Sequence, residues 1–339
     1  MSFITRREML LTVPGLAVAS RLLGAQAGPP ALRVRGLSSV TLAVSDVARS
    51  VAFYQEIFGL PIQARHGSKV LLRLGSGPYF LALMPADGAG PRIDHWGLAV
   101  EDFEVSRVVD MLGAHGVSRA IGGQGLSGGS MRVRVSTRGD TPELHMGDAD
   151  GLVAQLQHTA YCGGGGPLGD GCTVEPAPRG APLSLSGLSH LTINVPDPDA
   201  TNGFYRRVFG FDIQEYQAAS PLLGVGPGPD FLMFIAAGGG RGAAAGPGAA
   251  RVNHVSLASP GFSVAGVQSA IEAHGIRPRP EPSATGPLLH WVSMRMPNRG
   301  GAPEGTPELY FSDPDGLSIQ LQDPTYCGGG GYLGEICNG

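Results

Sequence analysis

The sequence is poor in positive charge and contains one lysine, Lys69, among its 339 residues. Charged residues make up 15% of the chain and form no basic block, so we expect no nucleic acid as a partner. Beyond the N-terminus there is no apolar run long enough to span a bilayer, and we expect no stable membrane insertion. Apolar residues make up 42%, and the length favours two domains, each with a core of its own.

Cysteine is also scarce, and the 4 cysteines fall into two pairs with the same spacing. Cys162 and Cys172 bracket one glycine-rich loop, and Cys327 and Cys337 bracket another of the same pattern. A thiolate metal site and a disulfide that closes each loop are both compatible with this spacing. We expect disulfides, because closing a loop of about 10 residues stabilises a fold by roughly 2–3 kcal/mol in the loop-entropy model.

Internal repetition is the main feature that the sequence does have. Thr141–Cys172 recurs almost unchanged at Thr306–Cys337, which indicates two copies of one unit. Upstream, each copy is predicted to run strand, helix and strands, twice over, with helices that start at an Asp cap and stop at a glycine. The sequence therefore predicts an α+β chain of four βαβββ modules. We expect domains at 35–172 and 187–339, joined by a linker rich in Pro, Ala and Gly at 173–186.

The N-terminal residues 1–27 resemble a targeting segment. Thr5-Arg6-Arg7-Glu8-Met9-Leu10 is similar to a twin-arginine export signal, and Ala25-Gln26-Ala27 is a small-x-small cleavage site. A membrane anchor is the alternative, but the apolar run is short and is interrupted by Pro14 and Arg21. We expect a periplasmic or secreted protein, in a compartment where disulfides persist.

Three groups of motifs carry a resemblance to a known superfamily: LSHLTINVPD with FYRRVFGF, then VNHVSLAS, and then PELYFSDPDGLSIQLQ. They resemble the vicinal oxygen chelate superfamily, which includes glyoxalase I, fosfomycin-resistance proteins and type I extradiol dioxygenases. The resemblance covers nearly all of 37–323, and the Cys-Gly-rich tails are not part of it. It implies that pairs of modules close into two tandem half-barrel domains, with a metal in the cup of a half-barrel.

The resemblance also implies a set of metal ligands on the first strands of successive modules and on the last strand. In the second half the matching residues are His190, His254 and Gln320; in the first half they are Ser39, His95 and Gln155. Serine is a poor ligand for Fe²⁺, Mn²⁺ or Zn²⁺, whereas imidazole is a good one. We therefore expect the metal site in the C-terminal half and a structural role for the N-terminal half.

The third ligand position departs from the family pattern, which usually has Glu where this chain has Gln320. Glu308 is an alternative, because strand alternation places it on the same face as Tyr310; we prefer Gln320. In extradiol enzymes a tyrosine at the place of Tyr310 hydrogen-bonds the substrate. His290 begins a strand that could line the cup and could act as an acid or base.

The sequence thus predicts an exported, metal-dependent, dioxygenase-like enzyme acting on a small aromatic or vicinal-oxygen substrate. Fe²⁺ or Mn²⁺ is the expected metal, with Zn²⁺ as a further option. The alternatives are a glyoxalase-like lyase or isomerase and a metal-free small-ligand binding protein of the bleomycin-resistance type. The expected partner is a small-molecule substrate, and assembly into a homo-oligomer is left open.

Overall fold

The computed structural model describes residues 31–237 and 249–337. The expected signal at residues 1–27 lies outside the described residues. The described chain forms two nine-stranded sheets, one in each half, together with four α-helices. Within these ranges no helix combines the length and the apolar character needed to cross a membrane.

The first sheet has the strand order β2-β3-β4-β1-β5-β9-β8-β7-β6. Its helices are α1 (Val47–Phe58) and α2 (Val105–Ala114). Its strands are β1 (Val34–Val44), β2 (Ile62–His66), β3 (Lys69–Arg73), β4 (Phe80–Pro85), β5 (Arg92–Val100), β6 (Ser118–Arg119), β7 (Arg132–Arg138), β8 (Thr141–Gly147) and β9 (Val153–His158).

The second sheet repeats this order as β11-β12-β13-β10-β14-β18-β17-β16-β15. Its helices are α3 (Pro198–Phe209) and α4 (Val264–Glu272), and a 3₁₀ turn lies at Pro297–Arg299. Its strands are β10 (Gly187–Val195), β11 (Ile213–Gln217), β12 (Ser220–Gly224), β13 (Phe231–Ala236), β14 (Arg251–Ala258), β15 (Arg277–Pro278), β16 (Leu289–Arg295), β17 (Thr306–Ser312) and β18 (Ser318–Gln322).

The first helix of each half has the predicted start and stop. The Asp46 carboxylate accepts a hydrogen bond from the Arg49 amide at the start of α1, and Gly59 ends the helix in the left-handed region at φ 63°. In α3 the cap is Asp197 and the left-handed glycine is Gly210, at φ 65°. These signals fix where the chain leaves the helix and returns to the sheet edge.

Each sheet is built from two modules that meet at its centre. In the first half β1 pairs in parallel with β4 of its own module and antiparallel with β5, the first strand of the next module. In the second half β10 pairs in the same way with β13 and β14. The predicted fold, four βαβββ modules in two tandem half-barrel domains, is confirmed.

The two halves share one hydrophobic core and exchange equivalent contacts. The hydroxyl of Tyr54 on α1 donates to Asp313 in the second half, at 3.3 Å, and that of Tyr205 on α3 donates to Asp148 in the first half, at 3.0 Å. Burial raises the pKa of each of these carboxyl groups to about 6. The first helices of the two halves, α1 and α3, therefore pack in this shared core.

Candidate metal centre

The three predicted ligands lie on neighbouring strands of the second sheet. His190 is on β10, His254 is on β14 and Gln320 is on β18. In the strand register Thr192 is opposite His254, and Ser256 is opposite both His190 and Gln320. Side chains alternate along a strand, so this register puts the three ligands on one face, the face away from α3 and α4. We call this face the cup.

The ligand side chains converge and are buried. Nε2 of His190 lies 3.2 Å from Oε1 of Gln320, and the rings of His190 and His254 are 5.5 Å apart at an interplanar angle of 83°. His190 is 3% exposed and Gln320 is 1% exposed. Three buried donor side chains therefore meet in one small region.

Neighbouring side chains set the protonation of His254. Asn253 donates through Nδ2 to Oδ1 of Asn194 at 2.9 Å, so its own Oδ1 faces His254 and accepts from Nδ1 at 2.9 Å. Burial lowers the pKa of His254 to about 4, so the ring is neutral near pH 7. Its Nε2 is then an unprotonated nitrogen, and it has no hydrogen-bond partner among the residues that the structure describes.

The ring of His190 is also neutral near pH 7, and its proton can lie on either nitrogen. Burial, followed by the nearby His254, lowers its pKa well below the ordinary value. Its Nδ1 contacts the Ser189 hydroxyl at 3.1 Å, and a hydroxyl can either donate or accept. The ring can therefore present a proton to Gln320 or, in the other tautomer, a lone pair.

The alternative ligand Glu308 is on the same face as Tyr310, as predicted, but its carboxylate is already occupied. Arg295 forms a buried ion pair with Oε1 of Glu308 at 2.9 Å, and the Tyr326 hydroxyl donates to the same oxygen at 3.2 Å. The Tyr310 hydroxyl donates to Oε2 at 3.4 Å. Tyr310 also packs edge-on against His254, with ring centroids 5.2 Å apart. Glu308 thus organises the phenols beside the histidines.

The cup is covered by the glycine-rich segment Cys327–Cys337, which we call the C-terminal roof loop. The Cys327–Cys337 and Cys162–Cys172 disulfides are both formed, which confirms the predicted bridges. Just before the loop, the ring of Tyr326 stacks against that of His190, with ring centroids 5.4 Å apart. The ring centroids of Tyr326 and Phe231 are 6.1 Å apart. Tyr326 is 1% exposed, so the loop and this ring close the mouth of the cup.

His290 does not join this group. In the register of β16 and β17 it lies opposite Phe311, whose side chain faces the core, whereas Trp291 lies opposite Tyr310. Its Nε2 contacts Glu272 of α4 at 2.9 Å. The expectation that His290 lines the cup is therefore wrong. Side chains alternate along β16, and this alternation puts His290 on the face of the sheet that carries the helices.

The first sheet carries a related but different cup. His95 has its Nδ1 2.7 Å from Asp94, and its Nε2 is buried without a partner among the described residues, as in His254. Ser39 takes the place of His190, and His145 takes the place of Tyr310, 5.4 Å from His95 between ring centroids. One imidazole of the metal-ligand pattern is therefore missing from the first half.

Arg295 and Tyr326 are important residues that the sequence reasoning did not single out. Tyr326 precedes the first cysteine of the loop, as Tyr161 does in the other copy, and this repeated Tyr-Cys pair was the available signal. Arg295 has its structural counterpart in Arg138, but the turn between β16 and β17 is longer than that between β7 and β8. That longer turn shifts Arg295 out of the sequence register of the repeat.

The side chains fit a divalent metal. Within residues 31–237 and 249–337 no group of three or more His, Cys, Asp and Glu is placed to hold an ion, and Gln320 is the side chain that lies beside the two histidines. Two neutral imidazoles and the amide oxygen of Gln320 supply three such donors. The unpartnered atoms include Nε2 of His254 and Nε2 of Gln320. Leaving a buried polar group unpaired costs about 1–3 kcal/mol, which a bound ion would relieve at the imidazole.

Comparison with known proteins identifies the family. The model of the Glyoxalase/Bleomycin resistance protein/Dioxygenase superfamily matches residues 36–127 and 187–321. The chain belongs to this superfamily. No curated protein sequence matches the chain, so the remaining similarity is structural.

Solved structures with the same fold include a glyoxalase with bound Mn(II) and two dioxygenases. The Mn(II)-bound glyoxalase from Novosphingobium aromaticivorans aligns at 18% identity and TM-score 0.58, covering 86% of this chain and 82% of that one. An anaerobic complex of homoprotocatechuate 2,3-dioxygenase from Brevibacterium fuscum with 3,4-dihydroxyphenylacetate aligns at 18% identity and TM-score 0.58, covering 87% and 82%. A halotolerant catechol dioxygenase aligns at 16% and 0.56, covering 85% and 86%. At these identities the similarity establishes the fold.

Proposed function

We propose that the C-terminal half binds one divalent metal through His190, His254 and the amide oxygen of Gln320. The observation that carries this proposal is the buried Nε2 of His254, which lacks a partner within the described chain while its Nδ1 lies 2.9 Å from Oδ1 of Asn253. An outer partner on the second ring nitrogen is the usual arrangement around a metal-bound histidine. Gln320 is preferred to Glu308, because Arg295 and Tyr326 already hold that carboxylate.

We prefer Fe²⁺ or Mn²⁺, with Zn²⁺ as the further option, because the proposed reaction consumes oxygen and a glyoxalase of similar fold binds Mn(II). Imidazole and oxygen donors suit all three ions. The set is neutral, so the ion keeps its full charge and is held less tightly than by a site with a carboxylate. Such an ion supplies Lewis acidity toward two vicinal oxygens of a substrate.

The reaction that we propose is oxygen-dependent cleavage of a small aromatic with vicinal oxygens, such as a catechol. Tyr310 lies against His254 and orients the substrate through its hydroxyl. Glu308 accepts from the hydroxyls of Tyr310 and Tyr326, so it fixes the orientation of both phenols at the edge of the cup. A glyoxalase-like lyase or isomerase would use the same ligands without oxygen.

A metal-free binding protein is the second candidate function. Two observations favour it: the roof loop closes the cup, and the third ligand is a neutral amide. In that case the cup would sequester a small ligand after displacement of Tyr326. The two disulfides also support an exported protein, in agreement with the twin-arginine-like segment.

Anaerobic reconstitution separates these functions. We expect purified protein to take up Fe²⁺ or Mn²⁺ and to consume oxygen with one member of a catechol panel. Gln320→Glu is the matched variant, and a carboxylate there should tighten metal binding by about tenfold or more because it offsets the ionic charge. The same change at the exposed Gln124, Gln124→Glu, should leave metal binding unchanged. Failure to bind metal after reconstitution would remove both enzyme functions.

A further inference from the structure

The C-terminal roof loop is anchored to the sheet below it by three side chains, one of which, that of Arg295, also forms the ion pair with Glu308. Gln214 donates to the carbonyl of Cys327 at 2.9 Å, and Arg295 donates to that of Gly329 at 2.8 Å. Thr306 donates to the carbonyl of Gly331 at 2.6 Å. The loop thus lies flat over the cup, held at its beginning and middle by three strands.

Two glycines allow this close approach. Gly328 has φ +84°, and a Cβ there would meet Leu222 and approach a ring atom of Phe231 to 3.1 Å. Gly334 has φ +73°, and a Cβ there would press on the ring of Tyr326. A side chain at either position would lift the loop, so the glycine-rich sequence is what permits a tight cover.

The two cysteines of the disulfide that closes the loop differ in their exposure to solvent. Cys327 is 8% exposed, whereas Cys337, near the end of the described chain, is more exposed. An external thiolate can therefore approach the sulfur of Cys337 more readily than that of Cys327. Without the bond, the segment after Gly331 would still be held by backbone hydrogen bonds, from the amides of Cys327 and Gly329 to the carbonyl of Gly334 and between Gly330 and Ile336.

We propose that the Cys327–Cys337 disulfide is a redox latch that keeps the C-terminal cup closed and that opens when a dithiol reduces it. A thiolate of the dithiol attacks Sγ of Cys337, and the bond to Sγ of Cys327 breaks. The second thiol of the reductant then displaces Cys337, which leaves two protein thiols and an oxidised cyclic disulfide. This proposal deepens the proposed function, since the cup that it covers is the candidate metal centre, and it assigns entry to that centre to the reduced state.

The test uses metal-free protein, so it does not depend on metal binding or activity. Diethyl pyrocarbonate labels accessible imidazoles, and peptide mass spectrometry gives the labelling rate of each histidine. In oxidised protein we expect slow labelling of His190 and His254, and fast labelling of the exposed His274, which serves as the internal standard. Reduction with dithiothreitol, or Cys337→Ser, should raise the rates at His190 and His254 by about 10- to 100-fold, the scale set by releasing a ring of this size.

The matched control is the N-terminal loop. Cys172→Ser removes the equivalent bond over the first cup, and it should accelerate labelling of His95 while leaving His190 and His254 slow. Circular dichroism checks that each variant is folded. If Cys337→Ser does not fold, dithiothreitol titration of the wild-type chain below its melting temperature gives the same readout.

Equal labelling rates of His190 in oxidised and reduced folded protein would overturn the latch. The proposed function is tested separately, by adding Mn²⁺ to the reduced protein. Faster labelling without metal uptake would sustain the latch and contradict the metal site. Metal uptake at the same rate in both redox states would sustain the metal site and contradict the latch.

Discussion

The two halves of the chain keep the same cup and cover but differ in what lies between them. In the first half the rings of Phe80 and Tyr161 are 6.2 Å apart, and in the second those of Phe231 and Tyr326 are 6.1 Å apart. Only the second pair encloses an imidazole, that of His190, which stacks on Phe231 at 4.3 Å. The cup and its cover are therefore properties of the fold, whereas the proposed capacity for metal rests on the residue at a single position, His190 in place of Ser39.

The halves also differ in how far an equivalent Arg–Glu ion pair is shielded from water. Arg295 and Glu308 are 0% and 5% exposed in their side chains, whereas Arg138 and Glu143 are 30% and 19% exposed. Each arginine donates to a loop carbonyl as well, that of Gly329 or Gly164. The same arrangement of arginine, glutamate and loop carbonyl is thus shielded from water in the second half and partly solvated in the first.

Breaking the buried ion pair between Arg295 and Glu308 should have the largest effect on the free energy of unfolding. Arg295→Met leaves the Glu308 charge buried, and it should lower the free energy of unfolding by about 3–5 kcal/mol. Arg138→Met should cost about 1 kcal/mol, since water can solvate Glu143. Urea denaturation measures both, and Arg299→Met, at an exposed arginine, is the control. Equal losses at positions 295 and 138 would contradict the difference between the halves.

Making the second half resemble the first should abolish metal binding. His190→Ser removes one of two imidazoles, and the affinity for Mn²⁺ should fall by more than about 100-fold, beyond the effect of losing an outer partner. Isothermal titration measures the affinity. His95→Ser in the first half is the matched control and should bind metal as the wild type does. Retained affinity in His190→Ser would place the ion elsewhere.

Making the first half resemble the second should add a weaker site. Ser39→His would put an imidazole between Phe80 and Tyr161, whose spacing equals that of the rings around His190. With His95 and Gln155 already on that face, the metal content should rise from about one to about two ions per chain. Metal analysis after reconstitution measures it. In a His190→Ser background the same change should restore one ion, and no gain would show that position 39 is not the deciding one.

The smallest predicted effect concerns the contacts between halves, where the two sides should behave alike. Asp313 and Asp148 have folded pKa values raised by burial from 3.8 to about 6. Each binds a proton more readily in the folded than in the unfolded state, so it favours folding more as the pH falls through 6. Between pH 7 and 5, wild type should gain about 1 kcal/mol relative to either Asp313→Asn or Asp148→Asn.

Urea denaturation of the three proteins at both pH values measures this difference and cancels the titration of the buried histidines, which all three share. A pH-independent difference, or one of opposite sign, would contradict the raised pKa values. Unequal effects of the two variants would contradict the equivalence of the two contacts.

Much of the fold followed from local signals. The caps Asp46 and Gly59 and the alternating strands predicted module order, and the repeat supplied the tandem arrangement. The edge strand Ile62–His66 was not predicted, because it is only 5 residues long, although Gly67 marks the turn that follows it. Its place depends on pairing with β3, which is a tertiary contact.

The candidate site followed partly from resemblance and partly from strand alternation. Resemblance placed His190, His254 and Gln320, and alternation placed Glu308 beside Tyr310. His290 was assigned to the cup only because its strand could line it. The register of β16 and β17 puts its side chain on the opposite face. The closure of the cup by Tyr326 was not foreseeable from the loop sequence, because it requires knowing which face of the sheet the loop covers.

The most direct test is the metal content of the wild-type chain after anaerobic reconstitution in the presence of dithiothreitol and removal of free ions, with His190→Ser analysed in parallel. The account predicts about one Fe²⁺ or Mn²⁺ per wild-type chain and none in the variant. Wild-type protein that retains no metal, or a variant that retains as much as the wild type, would contradict it.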